Sequence, residues 1–352
     1  MDNNNQQLKT AIVCLAADEN LYIRDWVAWH TTLGFSKIFV IDNSPADRGD
    51  YPEQVLGDYV ELGRVQVIHM RKTCAWNPLG FQQSVYTLMY QALRNTFDWI
   101  FFIDCDEFVM FSNESGFKSI NDYLASDICK DAQQIRMNWM CFGDNGQLHY
   151  MKKPVWERFK SPMKDITKPD WWGKVPVNMT LKTAVNCNKA DVADFVSSHS
   201  PHYPLTNEGE NAVVISPSGH RRPHDKAVHS IDYKTMFLGH FRTLSTEEFL
   251  YKRIAKYGPS DATGARYTKD RYMKVYCVEN EMTPEKKKLW DDFMEKYERE
   301  HPGAFAEEEG VANPFQTPIA YRDEVISRVV NAINGDAVWS WSEEDEEKFR
   351  NS

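Results

Sequence analysis

The chain is 352 residues long, with 42% hydrophobic and 26% charged residues and a formal net charge of -10 from 41 Lys+Arg against 51 Asp+Glu. At about 150 residues per domain this allows one large or two modest domains with an ordinary core, and the acidic balance excludes a general binder of nucleic-acid polymers, which needs a basic face to neutralise phosphates. No run approaches the roughly 18 apolar residues of a membrane span, the polar start MDNNNQQLKT has no signal-peptide core, and seven scattered cysteines without a Cys-x-x-Cys pair read as reduced thiols, so a soluble, cytoplasmic chain is expected.

The first half alternates strands and helices. AIVCLAA (11–17) is a short apolar run with β-branched residues, a buried strand. Asp18, Glu19 and Asn20 follow, with Asp18 or Asn20 placed to cap a helix through LYIRDWVAWHTTLG. Its Tyr22, Trp26, Trp29 and Leu33 recur at three- and four-residue steps, and Gly34 ends it. KIFVIDNS (37–44) and RVQVIHM (64–70) are the next strands, and FQQSVYTLMYQALRN (81–95) is an amphipathic helix. DWIFFIDCDEFVMF (98–111) is the most apolar strand, interrupted by Asp104, Asp106 and Glu107. SINDYLAS is a short helix and AQQIRMNWMCF (132–142) a fifth strand. This order predicts an α/β fold: a mainly parallel, Rossmann-like sheet flanked by helices. Ligands of such sheets sit beyond the carboxyl ends of the strands, where Asp18, Glu19, Asp42, Asn43, Asp104 and Asp106 collect.

After about residue 143 the pattern loosens. LKTAVN (181–186) and TMFLGHF (235–241) read as strands, and EEFLYKRIAKYG (247–258) as a helix closed by Gly258. Thr283 caps a charged helix to about residue 300, with Pro284 at its first position, and the tail SEEDEEKFRNS is acidic. The expected division is a domain over 1–258 and a C-terminal helical extension with an acidic tail over 259–352.

FFIDCDEF carries the most chemistry. On a continuous strand Asp104 and Asp106 share one side and Cys105 faces the other. Two like charges side by side on an apolar strand are costly unless a cation or hydrogen bonds compensate. Oxygen ligands with open positions suit Mg²⁺ or Mn²⁺ carrying a diphosphate.

At this point the chain resembles the nucleotide-sugar glycosyltransferases of the GT-A fold, most closely the family 2-like group that includes family 92. The pieces that carry the resemblance run in order over about residues 10–260: ENLYIRDWVAWHTTLGFSKIFVIDNS, the helix with Gln82 and Gln83, WIFFIDCDEFV, NWMCFGDNG, WERF, LKTAVN, HSPHY and LGHFRTLSTEEFLYKR. Cys105 and Phe241 depart from the commoner aliphatic residue and Tyr, and the membrane anchor usual in eukaryotic relatives is not among the residues.

The resemblance implies a GT-A fold and a hexosyl transfer from a nucleotide sugar, a UDP-sugar by preference, to a glycan hydroxyl with inversion. It implies that Asp104 and Asp106 bind Mn²⁺ or Mg²⁺ on the donor diphosphate, with His240 in LGHF completing the metal shell. It places Asp42 at the uracil or its ribose, Ala16 and Glu19 near the nucleoside, and Lys182 in LKTAVN among the donor-binding residues. An inverting transfer needs a carboxylate to take the acceptor proton as an oxocarbenium-like transition state forms. Asp144 in FGDNG and Glu157 in WERF are the candidates. Their plain alternatives are a turn residue for Asp144 and a partner of Arg158 or Lys160 for Glu157. Glu107 is a third possibility, but it faces away from Asp106 if the strand continues.

Six histidines lie between 199 and 240: His199, His202, His220, His224, His229 and His240. Their spacing matches no helical zinc pair, so a lid over the donor is the preferred reading, with Arg221, Arg222 and Lys226 as phosphate contacts. Trp139 reads as core, and Trp171 and Trp172 as an exposed pair able to stack on sugar rings. Two competitors remain open: a sugar nucleotidyltransferase, disfavoured because CLAADEN has no glycine for a phosphate loop, and a catalytically silent glycan-binding protein, disfavoured by intact carboxylates.

Overall fold

A computed structural model describes residues 7–45, 49–71, 78–163, 177–194, 204–224, 230–255, 267–275 and 282–302. They fall into two compact units. Of the described residues, the first comprises those up to Trp139 and those of Thr180–Leu238; the second comprises those of Met140–Met179 and those from Gly239 to residue 302. This division differs from a single cut at residue 258: the second unit draws on a segment from the middle of the chain. At 139–140 and at 238–239 the chain crosses from one unit to the other inside a strand.

The first unit is built on one mixed sheet. Strands β1 (Thr10–Ala16), β2 (Lys37–Asp42), β3 (Val65–His69) and β4 (Trp99–Phe102) are followed by β5 (Glu107–Phe111), β6 (Gln134–Cys141) and β7 (Leu181–Asn186). β8 (Val192–Asp194) and β9 (Leu205–Thr206) form a separate ribbon, and β10 (Val214–Ile215) and β11 (Met236–His240) return to the sheet. The order is β3-β2-β1-β4-β7-β6-β11-β5, with β10 beside β6. β1 pairs in parallel with β2 and β4, and β2 with β3, while β7 runs antiparallel to β4 and β6. The α/β architecture with mostly parallel strands is thus as expected.

Helices α1 (Ile23–Thr32), α2 (Glu53–Glu61), α3 (Pro78–Leu93) and α4 (Ile120–Leu124) belong to this unit. The pleat divides the strand side chains between two faces. Ala11, Val13, Phe39, Ile41, Ile100, Phe102 and Val185 form one core cluster with Val85, Met89 and Leu93 of α3. α1 ends at Gly34, whose φ of +101° favours glycine. Its buried face is Ile23, Trp26, Val27 and His30 rather than the stripe through Tyr22 and Trp29. Nor do Asp18 or Asn20 cap it. Tyr22 occupies the cap without a side-chain bond, and the Glu19 carbonyl accepts from Tyr22 N and Ile23 N. Asp18 instead takes a left-handed φ of +50° and donates its N–H to Ser44 Oγ.

The expected single strand 98–111 is two. β4 stops at Phe102, residues 103–106 turn, and β5 begins at Glu107 and lies at the far end of the sheet order. Glu107 N donates to the Asp104 carbonyl at 3.0 Å, which closes the turn. Asp104 and Asp106 therefore lie on a tight turn, and strand alternation does not describe them. Apolar periodicity cannot see such a break, since both halves are buried.

The second unit contains α5 (Val155–Arg158), α6 (Thr246–Phe249), α7 (Lys269–Val275) and α8 (Pro284–Glu300). α6 opens on a capping box formed by Ser245 and Glu248 and runs on into a π-helical segment, Leu250–Ala255. α8 starts as expected, with Thr283 Oγ1 accepting from Lys286 N and Pro284 in the first turn. Phe249, Tyr272 and Trp290 are the centre of its core. Among the described residues no helix is long and apolar enough to cross a membrane.

Candidate functional site

The carboxyl ends of the parallel strands carry the polar residues. Ala16 pairs with Asp42 and Asp42 with His69, so the ends of β1, β2 and β3 are level. Val13 pairs with Phe102, which brings the turn after β4 to the same edge. β7 runs the other way, and its register partner for Phe102 is Thr183. The start of β7 therefore lies beside the end of β4, and Lys182 reaches Asp104.

Asp104 is held from two elements. Gln82 Nε2, from α3, donates to Oδ1 at 2.8 Å, and Tyr86 OH, one turn on, donates to the same oxygen at 3.3 Å. Lys182 Nζ lies 2.7 Å from Oδ2. The Asp104 side chain is still 31% exposed, whereas Lys182 is 1% exposed, so the carboxylate opens outward from a buried ammonium. Asp106 is half-buried. Glu107 is wholly buried and accepts Asp104 N–H on Oε2 at 2.9 Å. Burial pushes its carboxyl well up from the ordinary value, aided by Asp104 and Asp106 and opposed by Lys182. Burial pushes the Lys182 ammonium down, but Asp104 and Glu107 outweigh it and raise the group. Burial also raises Tyr86 and Cys14, with Asp104 adding to both.

Asp42 has its own network two strands away. Its carboxylate is fully buried and takes hydrogen bonds from Arg71 Nε at 2.6 Å, His69 Nδ1 at 2.8 Å and Ser44 N at 3.0 Å. His69 Nε2 reaches Glu53 Oε1 at 2.7 Å, and the Arg71 guanidinium lies 3.8 Å over the Tyr51 ring. Burial would raise Asp42, but His69, Ser44 and Arg71 outweigh it and hold it below the usual range. The side chain expected at the uracil or ribose is thus engaged with the protein itself. Ala16, the register partner of Asp42, and Glu19, three residues on, are both buried.

The two base candidates separate. Asp144 is fully buried, with Lys286 Nζ 2.5 Å from Oδ2 in a close ionic contact rather than an aligned hydrogen bond, and Tyr272 OH donating at 3.4 Å. It fastens the FGDNG loop to α7 and α8. Glu157 is exposed on α5. It does not pair with Arg158, which makes a buried two-pronged pair with Glu248 at 2.7 and 2.8 Å. The WERF and STEEF segments thus meet as a structural fastening. His240 is buried at the end of β11, and its carbonyl accepts Phe142 N; a ligand role for it rests on the resemblance.

Arg221 and Arg222 bond Ala212 O and Ser230 Oγ, so they brace their own loop. Trp139 is core, at 2% exposure. His199, His202, His229, Lys226, Trp171, Trp172 and the acidic tail lie outside the described residues. Sequence reasoning assigned no task to Gln82, Tyr86, His69 or Arg71. The available signal was a pair of polar residues four apart on the apolar helix α3.

The family model described as Glycosyltransferase family 92 matches residues 9–274. The chain belongs to glycosyltransferase family 92. A glycosyltransferase family 92 protein of Oryza sativa subsp. japonica is 26% identical to this chain over 156 residues, 42% of this chain. The match spans about a quarter of the rice protein, 25% of its length. Among solved structures, this family 92 chain is similar to S. aureus TarS at 11% identity and a TM-score of 0.32, covering 86% of this chain and 46% of that one. It is similar to GalNAc-T7 with UDP, GalNAc and Mn²⁺ at 13% identity and a TM-score of 0.31, covering 98% and 57%. For mannosyl-3-phosphoglycerate synthase from Rubrobacter xylanophilus the values are 12% and 0.27, covering 51% and 53%.

Proposed function

We propose that the chain is a metal-dependent glycosyltransferase that moves a hexose from a UDP-sugar to a glycan hydroxyl with inversion. The observation that carries this is the Asp104–Asp106 turn at the carboxyl end of β4, in a chain of family 92. Its carboxylates are half-buried and open at the sheet edge where α/β folds take their ligands.

Among the described residues no group of three or more histidine, cysteine or carboxylate side chains is arranged to hold a metal ion. Two hard oxygen ligands on one turn nevertheless fit Mn²⁺ or Mg²⁺, because these ions fill their remaining positions with water and substrate phosphates. Asp104 and Asp106 would hold the ion, and bound there it would neutralise the leaving diphosphate. The protein's own contribution is orientation: Gln82 and Tyr86 fix the Asp104 carboxylate through Oδ1, and Glu107 fixes its backbone. The acceptor hydroxyl needs a carboxylate to take its proton, a role worth about 10²–10⁴ in rate; of the two candidates, Asp144 is buried and Glu157 exposed, and Glu157 is the one favoured.

The test is release of UDP from a panel of UDP-sugars with glycan acceptors, with and without Mn²⁺. Turnover should require the cation and fall to background in Asp104→Ala and Asp106→Ala. Full activity in EDTA would remove the metal role. The anomeric configuration of the product, read by NMR, tests inversion.

A further inference from the structure

The turn that carries Asp104 and Asp106 holds a third carboxylate and an ammonium, and both are buried. Lys182 is 1% exposed and Glu107 0%. Lys182 Nζ lies 2.7 Å from Asp104 Oδ2 and 3.8 Å from Glu107 Oε1. Glu107 uses Oε2 to accept Asp104 N–H. Its Oε1 is buried and accepts no hydrogen bond among the described residues. A buried carboxylate oxygen left in that state is costly. An ammonium able to satisfy it stands close by, yet is engaged with the neighbouring carboxylate.

We propose that Lys182 is an exchangeable counter-ion of the carboxylate turn: with no divalent cation bound its ammonium neutralises Asp104, and when a cation binds Asp104 and Asp106 the ammonium moves onto Glu107 Oε1. This rests on the metal reading above and adds to it how the site balances charge. A divalent ion held by Asp104 would compete with the ammonium for that carboxylate, whose Oδ2 now lies 2.7 Å from Lys182 Nζ. A displaced ammonium in a buried site needs a new partner, since breaking a buried pair outright is strongly unfavourable. Glu107 supplies that partner within the same turn: its Oε1, now 3.8 Å from Lys182 Nζ, becomes the close contact in place of Asp104 Oδ2 at 2.7 Å. Glu107 is a positioning residue in this account, because it acts on the metal through Lys182.

The experiment is titration of Mn²⁺ alone into the full chain, followed by calorimetry and by the EPR signal of free Mn²⁺. It uses wild type, Lys182→Met, Glu107→Gln and the charge-balanced double variant, with circular dichroism to confirm folding. Lys182→Met should bind Mn²⁺ more tightly, because the competing cation is gone. Glu107→Gln should weaken binding about tenfold when Lys182 is present and much less when it is Met, a coupling of the size contacting residues show. If either single variant does not fold, the double variant decides alone: it should bind at least as tightly as wild type. Equal effects of Glu107→Gln in both backgrounds, or weaker binding in the double variant than in wild type, would overturn the exchange. Wild type that binds no Mn²⁺ would overturn the metal reading itself, and the exchange with it.

Discussion

His69 stands between two carboxylates, and its charge is part of what holds the edge of the sheet. Asp42 on β2 and Glu53 on α2 each take one ring nitrogen, and the Tyr51 ring packs edge-on against it. Arg71 shares the Asp42 carboxylate. Hydrogen bonds to Asp42 and Glu53 raise His69 from 6.5 to about 9 against the cost of burial. The raised group contributes its full stability below pH 6.5 and loses it as pH rises through about 9. The melting temperature should therefore fall between those limits. His69→Asn, which keeps a donor toward Asp42 but cannot titrate, should flatten that fall. An unchanged slope would show that the network carries no net charge–charge stabilisation. At the acid end Asp42 acts with the opposite sign, because its depressed pKa makes stability fall as pH drops through the folded value.

At the scale of elements, α1 is clamped onto β5 by its aromatic face. Trp26 Nε1 donates to the Glu107 carbonyl at 2.7 Å and Trp29 Nε1 to that of Val109 at 2.9 Å. His30 is fully buried and, by burial, pushed down to about 3, so its ring is neutral. Its Nδ1 donates to the Trp26 carbonyl at 2.9 Å, which leaves Nε2 to accept Val109 N–H at 3.1 Å. His30→Phe keeps the ring stack on Phe108 but orphans the Val109 N–H. It should cost about 1–3 kcal/mol in urea denaturation. A variant within experimental error of wild type would mean that the strand finds another acceptor. Spacing alone allows two adjacent stripes: Trp26 and Trp29 of the expected one both bond to β5, and the fold adds His30 to that clamp and buries Ile23 and Val27 in place of Tyr22. The same partners pull residues 107–111 away from β4, which turns one apolar run into two strands and a carboxylate-bearing turn.

At the scale of the whole molecule, the second unit is tied together by buried ion pairs. Lys286 on α8 meets Asp144, and Arg158 meets Glu248. Removing one partner leaves the other buried and unpaired, which costs about 3–5 kcal/mol. Asp144→Asn should thus lower the melting temperature sharply. Glu157→Gln, at an exposed position, should leave it unchanged while lowering turnover. A stable Asp144→Asn protein with turnover lost as fully as expected for a base would reverse the assignment.

The sequence by itself determined the α/β class, the strands β1, β2, β3 and β7 nearly to their ends, the cap of α8 and the Asp104–Asp106 pair. Each is local: apolar runs, capping residues and a short motif are written in neighbouring positions. Family membership was legible for the same reason, through short pieces in a fixed order. The break between β4 and β5, the pairing of Lys182 with Asp104, the engagement of Asp42 by His69 and Arg71, and the burial of Asp144 against Lys286 were decided by tertiary structure. Those contacts join residues from 27 to more than a hundred positions apart, and the charge state and accessibility of a carboxylate depend on which partners the fold brings to it.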